Sequence, residues 1–105
     1  MTEIIRTNIG LATYLMPTGS LSDNESLASL QKAFAECFDA DAKEVVLNLE
    51  RVSNVNGAVL EFLLDMQDTL VARGGKLSLM QPNGLLKDIF KITDVDKYIE
   101  VKTGL

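Results

Sequence analysis

Five consecutive residues near the middle of the chain, Val45-Val46-Leu47-Asn48-Leu49, constrain the fold more than any other segment. The run is short, apolar and rich in β-branched and aliphatic side chains. It reads as a strand buried on both faces, the kind found in a parallel or mixed sheet with helices packed on it. The flanking patterns supply those helices. Leu27, Leu30, Phe34 and Cys37/Phe38 recur at helical spacing before the run, and Val59, Phe62, Leu63, Met66 and Leu70 recur after it.

The remaining segments complete an alternating order. Residues 3–8 and 11–17 read as two short strands with a turn between Asn8 and Gly10. Ser22-Asp23-Asn24-Glu25 matches a capping box, with Ser22 as the cap and Glu25 reaching back, so the first helix is expected over 23–38. The second helix should close at Arg73-Gly74-Gly75, where glycine tolerates the left-handed conformation. Lys76–Met80 reads as a strand. Pro82-Asn83 opens a short helix with Leu85, Leu86 and Ile89 facing inward, and Tyr98–Val101 supplies a last strand. The order β-β-α-β-α-β-α-β describes an α/β sandwich, a mixed sheet of four to five strands covered by helices.

At 105 residues and 11.5 kDa the chain has room for one core, and scaling predicts that about 65% of the unfolded surface is buried. No linker, repeat or low-complexity segment divides it, so residues 1–105 are read as a single domain. No stretch is long and apolar enough for a membrane span, and Glu3 and Arg6 interrupt any signal-peptide pattern. The lone Cys37 cannot form an internal disulfide, and its place on an apolar helix face marks it as a small buried residue. A reducing, cytoplasmic setting is the expectation.

The chain has no histidine, which removes Ser-His and Cys-His nucleophiles, imidazole bases and His-containing zinc sites. One cysteine cannot build a thiolate cage, and no carboxylate or lysine cluster suggests another catalyst. No enzyme activity, metal or cofactor is expected. A net charge of −5 and a pI near 4.6 disfavour nucleic acid and anionic membranes as partners. The charge is uneven: residues 1–68 carry −7, residues 69–105 carry +2. One half is therefore suited to steering a basic partner, although a skewed solvated surface reads the same way.

Two motifs stand out. Glu61, Asp65 and Asp68 fall at i, i+4 and i+7, an acidic stripe opposite the apolar face of the second helix. It is either a solvated surface or a contact for Arg and Lys of a partner. Ser53-Asn54-Val55-Asn56-Gly57-Ala58 joins the buried strand to the second helix, whose N-terminus offers unpaired N–H groups and a positive dipole end. Asn56 there either caps the helix or helps receive an anion.

With these motifs in place, the ordered set resembles the STAS domain of anti-sigma factor antagonists, the SpoIIAA-like family, over nearly the whole chain. Gly19-Ser20-Leu21-Ser22 stands where the family often has Gly-Glu-Leu-Asp, and residues 45–53 follow its buried-strand pattern. Asn56-Gly57-Ala58 falls where it has Asp-Ser-Ser/Ala. Gly74-Gly75-Lys76-Leu77-Ser78-Leu79 matches Gly-Gly-x-Leu-x-Leu, and Ile92-Thr93-Asp94-Val95 stands at Thr-Gly-Leu.

The resemblance implies a regulatory protein that binds a kinase-type anti-sigma factor and so frees the sigma factor. In that family the kinase phosphorylates a Ser at the start of the second helix, adding a charge of about −1.5 to −2 at the interface. Here the phosphoacceptor position is Gly57, without a hydroxyl, and Ser53 is the nearest one upstream. The implied partner-binding residues are Ser22, Ser53, Asn54, Asn56, Gly57, Ala58 and Glu61. The same fold implies two alternatives: a small subunit on the ATPase of a lipid-transport ABC complex, or a stress-signalling scaffold. A nucleotide-binding module is a more distant one, since no phosphate-cradling loop is present.

Overall fold

The computed structural model describes residues 2–103. A hairpin of β1 (Ile4–Ile9) and β2 (Ala12–Pro17) opens the chain, followed by a three-residue strand β3 (Gly19–Leu21) and helix α1 (Asn24–Asp39). Then come β4 (Glu44–Asn48), β5 (Val52–Val55), α2 (Gly57–Ala72), β6 (Lys76–Met80) and α3 (Gly84–Ile92). A single 3-10 turn at Val95–Lys97 leads into β7 (Glu100–Lys102). Five strands form one mixed sheet in the order β1-β2-β4-β6-β7, with β1 antiparallel and the rest parallel. The expected α/β fold with its mixed sheet is present.

Each connection from β2 onward steps to the next strand in the same direction. Right-handed crossovers taken one way place all three helices on one face. Leu15, Val45, Leu47, Leu77 and Leu79 point to that face and join Leu30, Phe34, Leu63, Leu70, Leu86 and Phe90 in one core. Val46 bears out the expectation of a strand buried on both faces, with the helices on one of them. It is buried, yet it lies outside that core, flanked in register by Tyr14 and Ser78 on the bare face.

Two strands escaped the sequence reading. Val52–Val55 is β5, not loop, and pairs in parallel with β3 as a separate two-stranded ribbon. Strands of three and four residues are too short to show a period. The α1 cap is displaced by one residue from expectation. Asp23 accepts from the Ser26 N–H at 2.8 Å, and the Ser26 hydroxyl accepts from the Asp23 N–H at 3.2 Å. A carboxylate satisfies the helix N-terminus better than the Ser22 hydroxyl, because it adds charge to the hydrogen bond. Glu25, released from that role, accepts from the Thr2 N–H.

In α3 the inward residues are Leu86 and Phe90, with Ile89 half-buried, whereas Leu85 is 52% exposed and not inward as its spacing suggested. The Asn83 cap sets the phase of the helix, and i, i+4 from Leu86 gives Phe90. Cys37 is buried, as its helix face indicated, and burial pushes its thiol pKa up. Gly75 permits a close approach: a Cβ there would lie 1.7 Å from the Lys43 carbonyl oxygen, which the Lys76 N–H engages at 3.0 Å. Gly74 takes φ 84° and closes α2. Asp94, standing where the resembled pattern has glycine, takes φ 61°.

Phe34 and Phe62 meet edge to face at 5.4 Å across α1 and α2. Phe34 is fully buried and Phe62 only partly so. Phe34→Ala should cost about 3–5 kcal/mol in urea unfolding, and Phe62→Ala clearly less. Ser26 holds the Asp23 carboxyl below its ordinary pKa of 3.8 through its N–H first and its hydroxyl second. A depressed folded pKa contributes stability above the unfolded value, and that contribution is lost as pH falls through the folded one. Asp23→Ala should therefore melt below wild type at neutral pH, and the gap should close as pH drops below 3.8.

Candidate functional site

In a parallel sheet the loops at the carboxyl ends of the strands gather at one end, and here they build a small platform. The β3–β5 ribbon forms its floor. The Gly19 N–H donates to the Arg51 carbonyl at 2.9 Å, and the Asn56 N–H donates to the Leu21 carbonyl at 3.2 Å. These bonds bring Ser22, the residue after β3, to the start of α2. Leu21, Val52 and Val55 turn into the core, so the intervening Ser20, Ser53 and Asn54 face solvent. The pairing shifts register here, from Gly19 opposite Val52 to Ser20 opposite Asn54, so Ser53 is an extra residue and the ribbon exposes a polar row of hydroxyls and amides.

Asn56 resolves the two readings of its role in favour of the cap: its Oδ1 accepts from the Val59 N–H at 3.0 Å. Asn54 Oδ1 accepts from the Val55 N–H at 2.8 Å, and the Ser20 and Ser22 hydroxyls bond to each other. Gly57 and Ala58 are exposed in the first turn of α2, with Glu61 exposed one turn further on. Asp65 and Asp68 continue the acidic stripe along the solvent side of the helix. Every residue singled out for partner binding therefore reaches the same end or the adjoining face of the molecule. A Cβ added at Gly57 meets nothing within 4 Å, so a side chain at this position would stand free in solvent.

Sequence reasoning missed Asn83. It appeared only as the opener of α3, whose N-terminus it does cap through Leu86 N–H at 2.8 Å. Its amide nitrogen also donates to the carbonyls of Val52 and Ser53 at 3.2 and 3.3 Å. One side chain thereby fixes β5 against α3. The polar side chains of the platform are uncharged, and among the described residues no group of His, Cys, Asp or Glu is placed to hold a metal ion. Nor is any described helix long and apolar enough to cross a membrane.

The cap and the open glycine make opposite predictions. Asn56→Ala should lose about 1 kcal/mol in chemical unfolding, because the Val59 N–H loses its partner. Gly57→Ser should fold as well as wild type, since its side chain has space and glycine is a weak helix former.

Comparison with known proteins agrees with this architecture. Three solved structures overlay closely. TM1081 of Thermotoga maritima is 17% identical, with a TM-score of 0.89 over 97% of this chain and 87% of that one. An anti-sigma factor antagonist from Mycobacterium paratuberculosis is 14% identical, with a TM-score of 0.87 over 100% and 88%. The anti-sigma factor antagonist SpoIIAA from Bacillus, in its unphosphorylated form, is 14% identical, with a TM-score of 0.80 over 96% and 89%. Identities this low speak for the fold alone. None of the curated proteins compared by sequence matches. The family model for the STAS domain matches residues 6–105, nearly the whole chain, and the protein belongs to the STAS domain family.

Proposed function

We propose that this STAS domain works by binding another protein, without catalysis, as an anti-sigma factor antagonist in a partner-switching system. The observation that carries the reading is the platform: Ser22, Ser53, Asn54, Asn56, Gly57 and Ala58 converge at the start of α2 and adjoin Glu61. Its uncharged polar surface desolvates at modest cost, and the acidic stripe beside it favours a partner with Arg or Lys at the matching rim. A kinase-type anti-sigma factor is the partner this reading names. The likeness to solved structures of anti-sigma factor antagonists supports it.

Gly57 changes how such a switch would operate. With no hydroxyl at this position, transfer of a phosphoryl group from ATP to it is impossible, so the protein acts as a constitutive antagonist or answers to another control. The exposed Ser20, Ser22 and Ser53 are the hydroxyls nearest to hand on the platform.

Ala58→Glu tests the surface. The charge lies in the first turn of α2, where the helix dipole accommodates it, so the melting temperature should change little. Binding to the purified kinase-type partner should fall at least about tenfold, because the added carboxylate must be desolvated without a counter-charge. Equal affinity of wild type and variant would move the interface elsewhere. Capture of a transport ATPase or a stress-signalling scaffold, lost with the same variant, would keep the platform and change the partner.

A further inference from the structure

The bare face of the sheet is not evenly polar. Its exposed apolar side chains gather on the β1–β2 hairpin: Ile5 is 49% exposed, Ile9 59% and Leu11, at the turn, 92%. In register, Ile5 and Ile9 share that face with half-buried Ala12, Tyr14 and Met16. β1 is also an edge, with no strand beyond it among the described residues. Ile9 and Ala12 flank a two-residue turn and so form a hydrogen-bonded pair. The alternation runs down to Glu3, whose carbonyl accepts from the Thr18 N–H at 3.0 Å. Ile4, Arg6 and Asn8 therefore direct their N–H and C=O groups outward. The strand carries neither proline nor lysine and its pairing has no bulge; its one charge is Arg6, whose side chain turns toward α1.

Charge on the neighbouring helix selects the occupant. A groove of about 250 Å³ separates β1 from α1, and Lys32 and Glu36 border it one helical turn apart. Arg6 on the edge strand lies 3.9 Å from Glu36, an ion pair with both side chains about half exposed. If two copies meet β1 to β1 about a two-fold axis, their strands pair antiparallel and their α1 helices run antiparallel on the same side of the sheet. Lys32 of each copy then faces Glu36 of the other. Opposite charges one turn apart are self-complementary under this operation and would not suit a parallel or uncharged neighbour. The register that sets Ile5 against Ile5 of the second copy also keeps the two Arg6 residues from standing directly opposite.

We propose that the chain forms a two-fold dimer through β1, joining two five-stranded sheets into one of ten strands. The dimer covers the hairpin side of the molecule and leaves the platform at the start of α2 free in both copies.

Sedimentation equilibrium of the full chain over a wide concentration range tests this. The mass should rise from one chain toward two. Arg6→Pro removes an outward N–H without loss of an internal ladder bond, and Ile5→Lys sets like charges opposite one another across the axis. Each should weaken the dimer at least about tenfold. If Arg6→Pro does not fold by circular dichroism, Ile5→Lys decides. In an Arg6→Gln background, so that a lysine at position 36 meets no like charge from its own strand, Lys32→Glu and Glu36→Lys should each weaken association about threefold or more, and the double exchange should restore it. A single-chain mass up to the solubility limit overturns the proposal, as does a dimer indifferent to the β1 variants. Failure of the double exchange to restore association overturns the two-fold arrangement.

Discussion

The structure depends on the direction in which the chain winds. From β2 to β7 every crossover moves one strand the same way, and the handedness of such crossovers leaves only one side for the helices. The core, the bare face and the platform all follow. Leu15, Val45, Leu47, Leu77 and Leu79 have helices above them; Tyr14, Val46 and Ser78 do not. Because the parallel strands share a direction, the connections that follow them open at a common end.

At that end, amides hold what a charged network holds in many binding sites. Asn56 caps α2, Asn83 caps α3 and clasps β5, and Asn54 engages its own strand. Each amide oxygen accepts from a backbone N–H, which stabilises the platform without adding a charge. Charge enters at the margins, with Asp23 beside Ser22, Arg51 before β5 and Glu61 on the flank. The local chemistry therefore separates shape, supplied by the ribbon and the helix start, from steering, supplied by the stripe of Glu61, Asp65 and Asp68.

Much of this was legible in the residues. The apolar run at 45–49 marked the central strand, and helical spacing located α1 and α2, because deep burial leaves a period of its own in the sequence. Where the reading failed, a short-range competition decided the outcome. Ser22 and Asp23 are both good caps, and only the three-dimensional path of the chain into α1 chooses the carboxylate. Leu85, Leu86 and Ile89 are all apolar, so composition could not fix the phase of a nine-residue helix. The β3–β5 ribbon is held by pairing between distant segments, to which neither strand contributes a pattern. Asn83 looked like a cap, and its second task depends on β5, an element that could not be seen.

The paired glycines at the end of α2 illustrate how one letter can stand for two unrelated demands. Gly74 has room around it, with nothing within 4 Å of a Cβ, but its φ of 84° is a torsion that L-residues resist. Gly75 has an ordinary torsion but no room, because the Lys43 carbonyl occupies the place of a side chain. A residue of mirror-image chirality would satisfy the first site and fail at the second. Asparagine, which tolerates the left-handed region, is a natural substitute at 74, whereas at 75 even one methyl group would wedge β4 away from β6. Substitution at these adjacent positions is thus limited by two separate constraints, the first set by backbone conformation and the second by the spacing of the two central strands.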